Sequence, residues 1–436
     1  MPRILIAFIL TFSAAMAQAA VTIQEVTSAG GINAWVVEEP AIPFTALEIR
    51  IRGGASLDLP GKRGATNLMM GLIEEGSGDM SAQEFQTTLE GLAASFSFRA
   101  YDDTISISAR FLTENQDEAL ALLRQALTAP RFDQDALDRV RAQVLSGISS
   151  DAKDPNSIAG NAFDLAAFGD HPYGSSSDGT VDTVTALTRE DMIAAHQNAL
   201  TRDRIYVSAV GDFTADEIGP MLDQLLGDLP ATGPDLPTRV AFGLDGGLTV
   251  IPFKTPQSVA LFGHAGIKRD DEDFFAAYIL NQILGGSGFD SRLMTEVREN
   301  RGLTYGIRSY LVPKLHTEMM IGQVASGNDT MAEVVSVVRE IWTDLATNGV
   351  TAEELATIKT YLTGEYPLRF DGNAEIAEIM VGMQMIGLPP EYVVNRNDYV
   401  SAVTLDDVNR VAAELMQPDK LHFVVVGEPV GLESSD

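Results

Sequence analysis

Val184-Thr-Ala-Leu-Thr-Arg-Glu-Asp191 and Val400-Ser-Ala-Val-Thr-Leu-Asp-Asp407 are two renderings of one pattern. A second pair follows: Asp203-Arg-Ile-Tyr-Val-Ser-Ala-Val-Gly-Asp212 and Asp419-Lys-Leu-His-Phe-Val-Val-Val-Gly-Glu428. Both pairs stand 216 residues apart, with no gap between them. Two matches at a shared offset point to a duplicated domain.

Each copy predicts the same local structure. Thr188 and Thr404 precede Asp191 and Asp407 by three positions, a capping-box spacing that starts a helix and sets a carboxylate near its positive end. A turn and an apolar strand follow, Ile205 to Val210 and Leu421 to Val426, stopped by Gly211 and Gly427. Continuous apolar strands of this kind are buried on both sides or lie under helices. Ala46 to Arg52 and Thr104 to Arg110 alternate as half-exposed antiparallel strands do. Helical periodicity runs over Asp117 to Leu127 and Met331 to Leu345. Strands and helices segregate, so the expected fold is α+β: two similar domains from internal duplication, each an antiparallel sheet packed with helices. Pro230, Pro234 and Pro237, with Gly243, Gly246 and Gly247, punctuate the chain between the copies. The expected division is 20–230 for the first domain, 231–246 for the linker and 247–436 for the second.

The first residues read as a secretory signal. Arg3 precedes the apolar run Ile4 to Leu10, and the small-residue triplet Ala17-Gln18-Ala19 supplies a cleavage site. The run is short for a bilayer span, and no later stretch is long and apolar enough to be a transmembrane helix. Removal of 1–19 leaves about 417 residues, ample for two domains. The expected destination is the periplasm. Composition excludes more: a net charge of −31 repels phosphate backbones and acidic lipid, so neither nucleic acid nor membrane is an expected partner. With no cysteine, disulfides, thiolate metal sites and cysteine nucleophiles are all absent.

Three further stretches stand out. The first is Gly53-Gly54-Ala-Ser-Leu-Asp-Leu-Pro60-Gly-Lys-Arg-Gly64-Ala-Thr-Asn67. The second is His171-Pro-Tyr-Gly174 with Leu187-Thr188 and Val210-Gly211-Asp212. The third is Ser291-Arg-Leu-Met-Thr-Glu-Val-Arg298-Glu-Asn-Arg-Gly302-Leu-Thr-Tyr305. Together they resemble the insulinase/pitrilysin (M16) zinc peptidases, the first being similar to that family's strand-to-helix entry and the third to its second-domain motif. The likeness covers nearly the whole chain and is nearest to the short, processing-peptidase-like branch.

Active members of that family carry H-x-x-E-H after the Gly64 position. Two histidines at i and i+4 share one helical face and one Zn²⁺, and the glutamate activates a water on it. The aligned residues here are Asn67, Met70 and Gly71. An amide is a poor zinc ligand, a thioether cannot accept a proton and glycine has no side chain. The family's third ligand is a glutamate some seventy residues on, yet no glutamate occurs between Glu118 and Glu190. Glu74 and Glu75 are adjacent, face different ways and have no histidine neighbour in sequence. No metal or other cofactor is expected in this chain.

Other chemistries find no support. His171, His196, His264, His316 and His422 are scattered singly and read as structural or surface residues. Ser150-Asp-Ala-Lys153 fits S-x-x-K by chance, and Gly285-Gly286-Ser287-Gly288 reads as a turn. What the resemblance leaves intact is Arg298 and Tyr305. In the family an arginine and a tyrosine at this spacing hold the peptide, donating to its carbonyls and to the oxyanion that forms there. The resemblance therefore implies a non-catalytic subunit that contributes Arg298 and Tyr305 to a heterodimer with an H-x-x-E-H homologue, zinc residing in the partner and peptides being the substrate. The alternative reading is an inert peptide-binding or structural module with no part in proteolysis; a homodimeric hydrolase of other chemistry has no feature in its favour.

Overall fold

The computed structural model describes residues 22–286 and 288–435. The secretory segment expected at 1–19 lies outside them. Among the described residues the strands are β1 (Gln24–Thr27), β2 (Asn33–Glu38), β3 (Phe44–Arg52), β4 (Gly76–Ser77), β5 (Met80–Ser81), β6 (Ser95–Ala100), β7 (Thr104–Leu112), β8 (Ile205–Gly211), β9 (Gly247–Pro252), β10 (Gln257–Ala265), β11 (Thr304–Pro313), β12 (Glu318–Gly327) and β13 (His422–Gly427). The first sheet runs β1-β2-β8-β3-β7-β6 and the second β11-β12-β10-β13-β9, with β4 and β5 a small separate hairpin. Read from its other end, the second sheet repeats the first without β1. The duplication is therefore visible strand by strand.

The repeated sequence forms what its pattern requires. Helices Arg189–Ala199 and Leu405–Leu415 begin at Thr188 and Thr404, and in each a complete capping box closes. Asp191 accepts from the Thr188 N–H at 2.8 Å, and Asp407 accepts from the Thr404 N–H at 2.9 Å. The strands that follow, β8 and β13, sit inside their sheets, and every residue of β13 is buried.

Each sheet is antiparallel except for one parallel pair, β2 with β8 and β9 with β13. Short loops make β2 and β3 antiparallel, yet the last strand of the half inserts between them. A strand placed between two antiparallel neighbours must run parallel to one of them. The same insertion puts β13 between β9 and β10.

One face of each sheet carries its own half's helices. In the first half, Leu47, Ile49, Ile51, Ile105, Ile107 and Val207 face a core that includes helices Gln116–Thr128 and Gln134–Asp151. In the second, Phe423 and Val425 face Trp342 and the helix Met331–Asn348. The opposite faces are covered by exchange. Helix Asn373–Met385, from the second half, lies on the first sheet, where Ala377, Met380 and Met383 pack with Trp35, Ala46 and Val210. Ser208 Oγ donates to Ala377 O at 2.5 Å, and Gln384 Nε2 donates to Val207 O at 2.8 Å. Reciprocally, helix Pro155–Phe168 from the first half packs Ala159, Phe163 and Ala167 against Val424 and Val426.

The exchange corrects the expectation that β3 is half-exposed, whereas β7 does leave Arg110 exposed. The polar alternates of β3 lie beside a helix, and Glu48 is buried, accepting from Arg50 Nη1 and Ser108 Oγ at 2.8 Å each. Burial pushes its carboxyl above the usual range, although both hydrogen bonds pull the other way. The stretch 230–246 has no regular structure, but it is not a free tether: Val240 N donates to His316 O at 2.9 Å and Gly243 N to Ala167 O at 2.9 Å. No helix among the described residues is long and apolar enough to cross a membrane.

Candidate functional site

The helix that would carry the zinc motif is Ala65–Met70. Gly64 introduces it at φ +96°, a conformation suited to glycine, and a Cβ there would sit 2.6 Å from the Asp178 carbonyl oxygen. Asp58 caps the entry, accepting from Gly64 N at 2.8 Å and from Thr66 N at 2.9 Å. The local frame of a metal helix is thus built. Its ligands are not. Asn67 Nδ2 donates to Asp178 Oδ1 at 2.8 Å, so the first ligand position is held in an amide–carboxylate bond. Met70 is 2% exposed and belongs to the first-half core. Gly71 ends the helix.

Helix Gln134–Asp151 passes close enough that a Cβ on Gly71 would lie 3.1 Å from Val140 Cγ1, and it contains no glutamate. Glu75 pairs with Arg139, while Glu74 has its carboxyl pushed up to about 7, first by burial and then by Glu75. A raised carboxyl favours the folded chain most below its ordinary 4.5, and that contribution is lost as pH rises through about 7. Among the described residues no group of three or more His, Asp or Glu side chains is placed to hold a metal ion. These residues do not fit zinc. Dialysis of the purified chain against a chelator is therefore expected to move its thermal midpoint by less than about 1 °C, and metal analysis to find under about 0.1 zinc per chain. A chelator-sensitive midpoint is the contrary result.

The second-half motif is differently preserved. Arg298 lies on the segment Met294–Asn300, which is wound as a π-helix, a form concentrated at functional sites. Gly302, at φ +66°, turns the chain out of it. Gly302 N donates to Arg298 O and Leu303 N to Val297 O, both at 2.9 Å. Strand β11 then starts with a bulge. Thr304 faces Ser326 while Ile307 faces Val324, so one extra residue is accommodated at Tyr305–Gly306. Thr304 Oγ1 fixes the bulge by accepting from Gly306 N at 3.1 Å and donating to Ala325 O at 2.7 Å. Tyr305 projects from it 88% exposed, an unusual state for a tyrosine.

Strand β11 is also a sheet edge. The far edge of the same sheet, β9, is covered by the C-terminal stretch: Ser435 N donates to Leu248 O at 2.8 Å and Val250 N to Ser434 Oγ at 2.9 Å. The edge equivalent to β11 in the first sheet is β6.

Two sequence readings need correction. Gly285 and Gly286, expected in a turn, instead close the π-helical segment Gln282–Gly286. Gly285 lets this helix touch β11, where a Cβ would come within 2.5 Å of Ser309 Oγ. Nor are all the histidines isolated. His171 and His316 come together, ring centroids 6.2 Å apart, around Tyr173, which donates to Asp103 and accepts from His316 N at 3.2 Å. The hairpin tips of the two sheets meet here, with Lys314 Nζ 2.9 Å from Asp102. The remaining three are held in place. His196 contacts Leu127 O, His264 lies against Trp342 Nε1 and His422 against Thr249. Ser150 and Lys153 are exposed and share no side-chain bond.

Two equivalent sheets, a helix at the metal position without ligands, and an arginine–tyrosine pair on the second half define a class, and sequence comparison agrees with it. The chain belongs to the M16 (insulinase) peptidase family: residues 35–180 match the profile described as insulinase (peptidase family M16), and 186–362 match that of the peptidase M16 inactive domain. Within the family, this chain has Asn67, Met70 and Gly71 where the expected H-x-x-E-H ligands would stand. It is 27% identical to the structure of a peptidase M16 inactive domain from Pseudomonas fluorescens, with a TM-score of 0.88 over 95% of this chain and 100% of that one. A protein of Helicobacter pylori named non-peptidase homolog YmxG is 24% identical over 98% of both chains. An uncharacterized zinc protease of Streptomyces coelicolor is 25% identical over 91% of this chain and 87% of its own.

Proposed function

We propose that this chain is the non-zinc-binding subunit of a periplasmic M16-type peptidase. It pairs with an H-x-x-E-H homologue and lends Arg298 and Tyr305 to the substrate bound there. The observation that carries this reading is the exposure of Tyr305 on a bulged, open edge strand, seven residues after Arg298, in a chain whose own metal helix is empty of ligands. A phenol and a guanidinium are strong donors where a carbonyl oxygen gains charge. The peptide binds between the subunits by adding a strand to an open sheet edge, through backbone contacts that do not depend on a narrow sequence code. The secretory pattern at residues 1–19 supports the periplasm as the place of action.

The test is a reconstitution. Zinc content and peptide cleavage are measured for this chain, for the zinc-bearing homologue and for the equimolar mixture. The mixture is expected to cleave about tenfold or more faster than the homologue alone, and this chain not at all. Chelator-insensitive cleavage by the pure chain, or a mixture no faster than the homologue, overturns the proposal.

A further inference from the structure

The second half contains a cavity of about 520 Å³, within the range of small-molecule sites. It lies between β11 and helices Phe274–Asn281, Asn373–Met385 and Tyr392–Ala402. In a chain with 61 acidic and 30 basic residues, its lining includes three arginines, Arg269, Arg369 and Arg396, and no aspartate or glutamate. Six of its lining residues are aromatic.

Two of these arginines lack a counter-ion. Arg269 lies 4.3 Å over the Phe274 ring and donates to the Tyr392 hydroxyl at 3.1 Å. Arg396 is 4% exposed, donates to Leu362 O at 2.7 Å and Tyr278 Oη at 3.4 Å, and lies 4.7 Å over the Tyr366 ring. Among the described residues neither has a carboxylate within 4.0 Å, whereas rim residue Arg369 pairs with Glu365. A buried guanidinium held only by neutral acceptors and rings is costly, and the cost falls when an anion enters.

A third group points the same way. Tyr366 is 8% exposed, and its hydroxyl is buried with no hydrogen-bond partner. Unpaired buried hydroxyls are rare. Burial pushes the phenol up to about 12, so it remains a donor throughout the neutral range. Two uncompensated cations and an orphan donor, set among rings, are short of the same thing: an acceptor-rich anion on an apolar body.

We propose that this cavity binds an aromatic carboxylate, its carboxylate taken by Arg269, Arg396 and Tyr366 and its ring stacked among Phe275, Tyr278 and Tyr392. Such a group comes from two sources, a free aryl acid or the C-terminal residue of a peptide. The proposal is independent of the proteolytic reading, because it uses neither Arg298 nor Tyr305.

The experiment is calorimetric titration of the full mature chain with N-acetyl-phenylalanine, N-acetyl-phenylalanine amide, inorganic phosphate, phenylpropionate and the peptide Gly-Gly-Phe. The free carboxylate is expected to bind about tenfold or more tighter than the amide or phosphate. Gly-Gly-Phe binding tighter than phenylpropionate assigns the peptide terminus, and the reverse order assigns the free acid. Arg269→Gln is expected to weaken binding about tenfold, and Tyr366→Phe severalfold while leaving the chain at least as stable. Equal affinity for acid and amide, phosphate binding as well as the acids, no binding by any carboxylate, or a stable Tyr366→Phe chain of unchanged affinity overturns the assignment.

Discussion

A complex rebuilt with Arg298→Ala and Tyr305→Phe in this chain is expected to keep its assembly and its zinc and to lose about 10²–10³-fold in kcat. The direction follows from where the proposed function places the donors. Charge appears on the scissile carbonyl oxygen only as the tetrahedral intermediate forms, so losing a donor aimed there lowers kcat more than it raises KM. Tyr305→Phe is the cleaner of the two changes. The side chain is 88% exposed, and removing one hydroxyl from it alters stability by less than about 0.5 kcal/mol. Arg298 is half-buried, so Arg298→Lys is the informative companion: it keeps the charge and loses the fork, and an intermediate rate is expected. A scaffold role predicts another pattern, in which both variants cleave as fast as the unaltered complex. Steady-state kinetics with native mass measurement of the complex separates the two.

Met380→Asp is expected to be the most damaging single change to the fold. Met380 is fully buried where the second half's helix lies on the first half's sheet, among Trp35, Ala46 and Val210. A carboxylate in these apolar surroundings either stays charged at high cost or takes up a proton; the loss is on the order of 4 kcal/mol. Met380→Leu, which keeps the volume, costs under about 1.5 kcal/mol. The damage extends beyond the helix. Lifting Asn373–Met385 uncovers the β3/β8 face and leaves Ser208 Oγ and Val207 O without the partners they now have. Urea unfolding of Met380→Asp is expected to show an early transition, with proteolysis concentrated on the second half. A midpoint equal to that of Met380→Leu would contradict the role given to this helix.

The features legible in the sequence are those written locally. A capping box is decided within four residues, so the starts at Thr188 and Thr404 could be read directly, and their repetition disclosed the duplication. The failed metal helix was equally plain, because ligand chemistry depends on residue type at fixed spacing. What sequence did not show was which sheet each helix covers. Periodicity tells which face of a helix is apolar, not what lies against it. A signal was nonetheless present. Pro155–Phe168 carries one charged residue, Asp164, and Asn373–Met385 carries two, Glu375 and Glu378. Helices so poor in charge are covered on most sides. The parallel strand pairs were hidden because insertion of β8 between β2 and β3 is a matter of topology. The grouping of Asp103, Tyr173 and His316 joins residues 70 and 143 positions apart.

The traded helices bear on how such a molecule can be divided. The chain has an approximate twofold relation between its halves, and each completes the other with the same element. A fragment ending near residue 230 would keep Pro155–Phe168 with nowhere to put it, and would present a bare sheet face beside it. Two copies of that fragment are self-complementary, since each carries the lid that the other lacks. The full chain is in this sense a dimer in one polypeptide, with its subunits joined in sequence and not only by contact. Cutting the connection would therefore leave the halves clasped, while removing either half would leave the survivor seeking a second copy of itself.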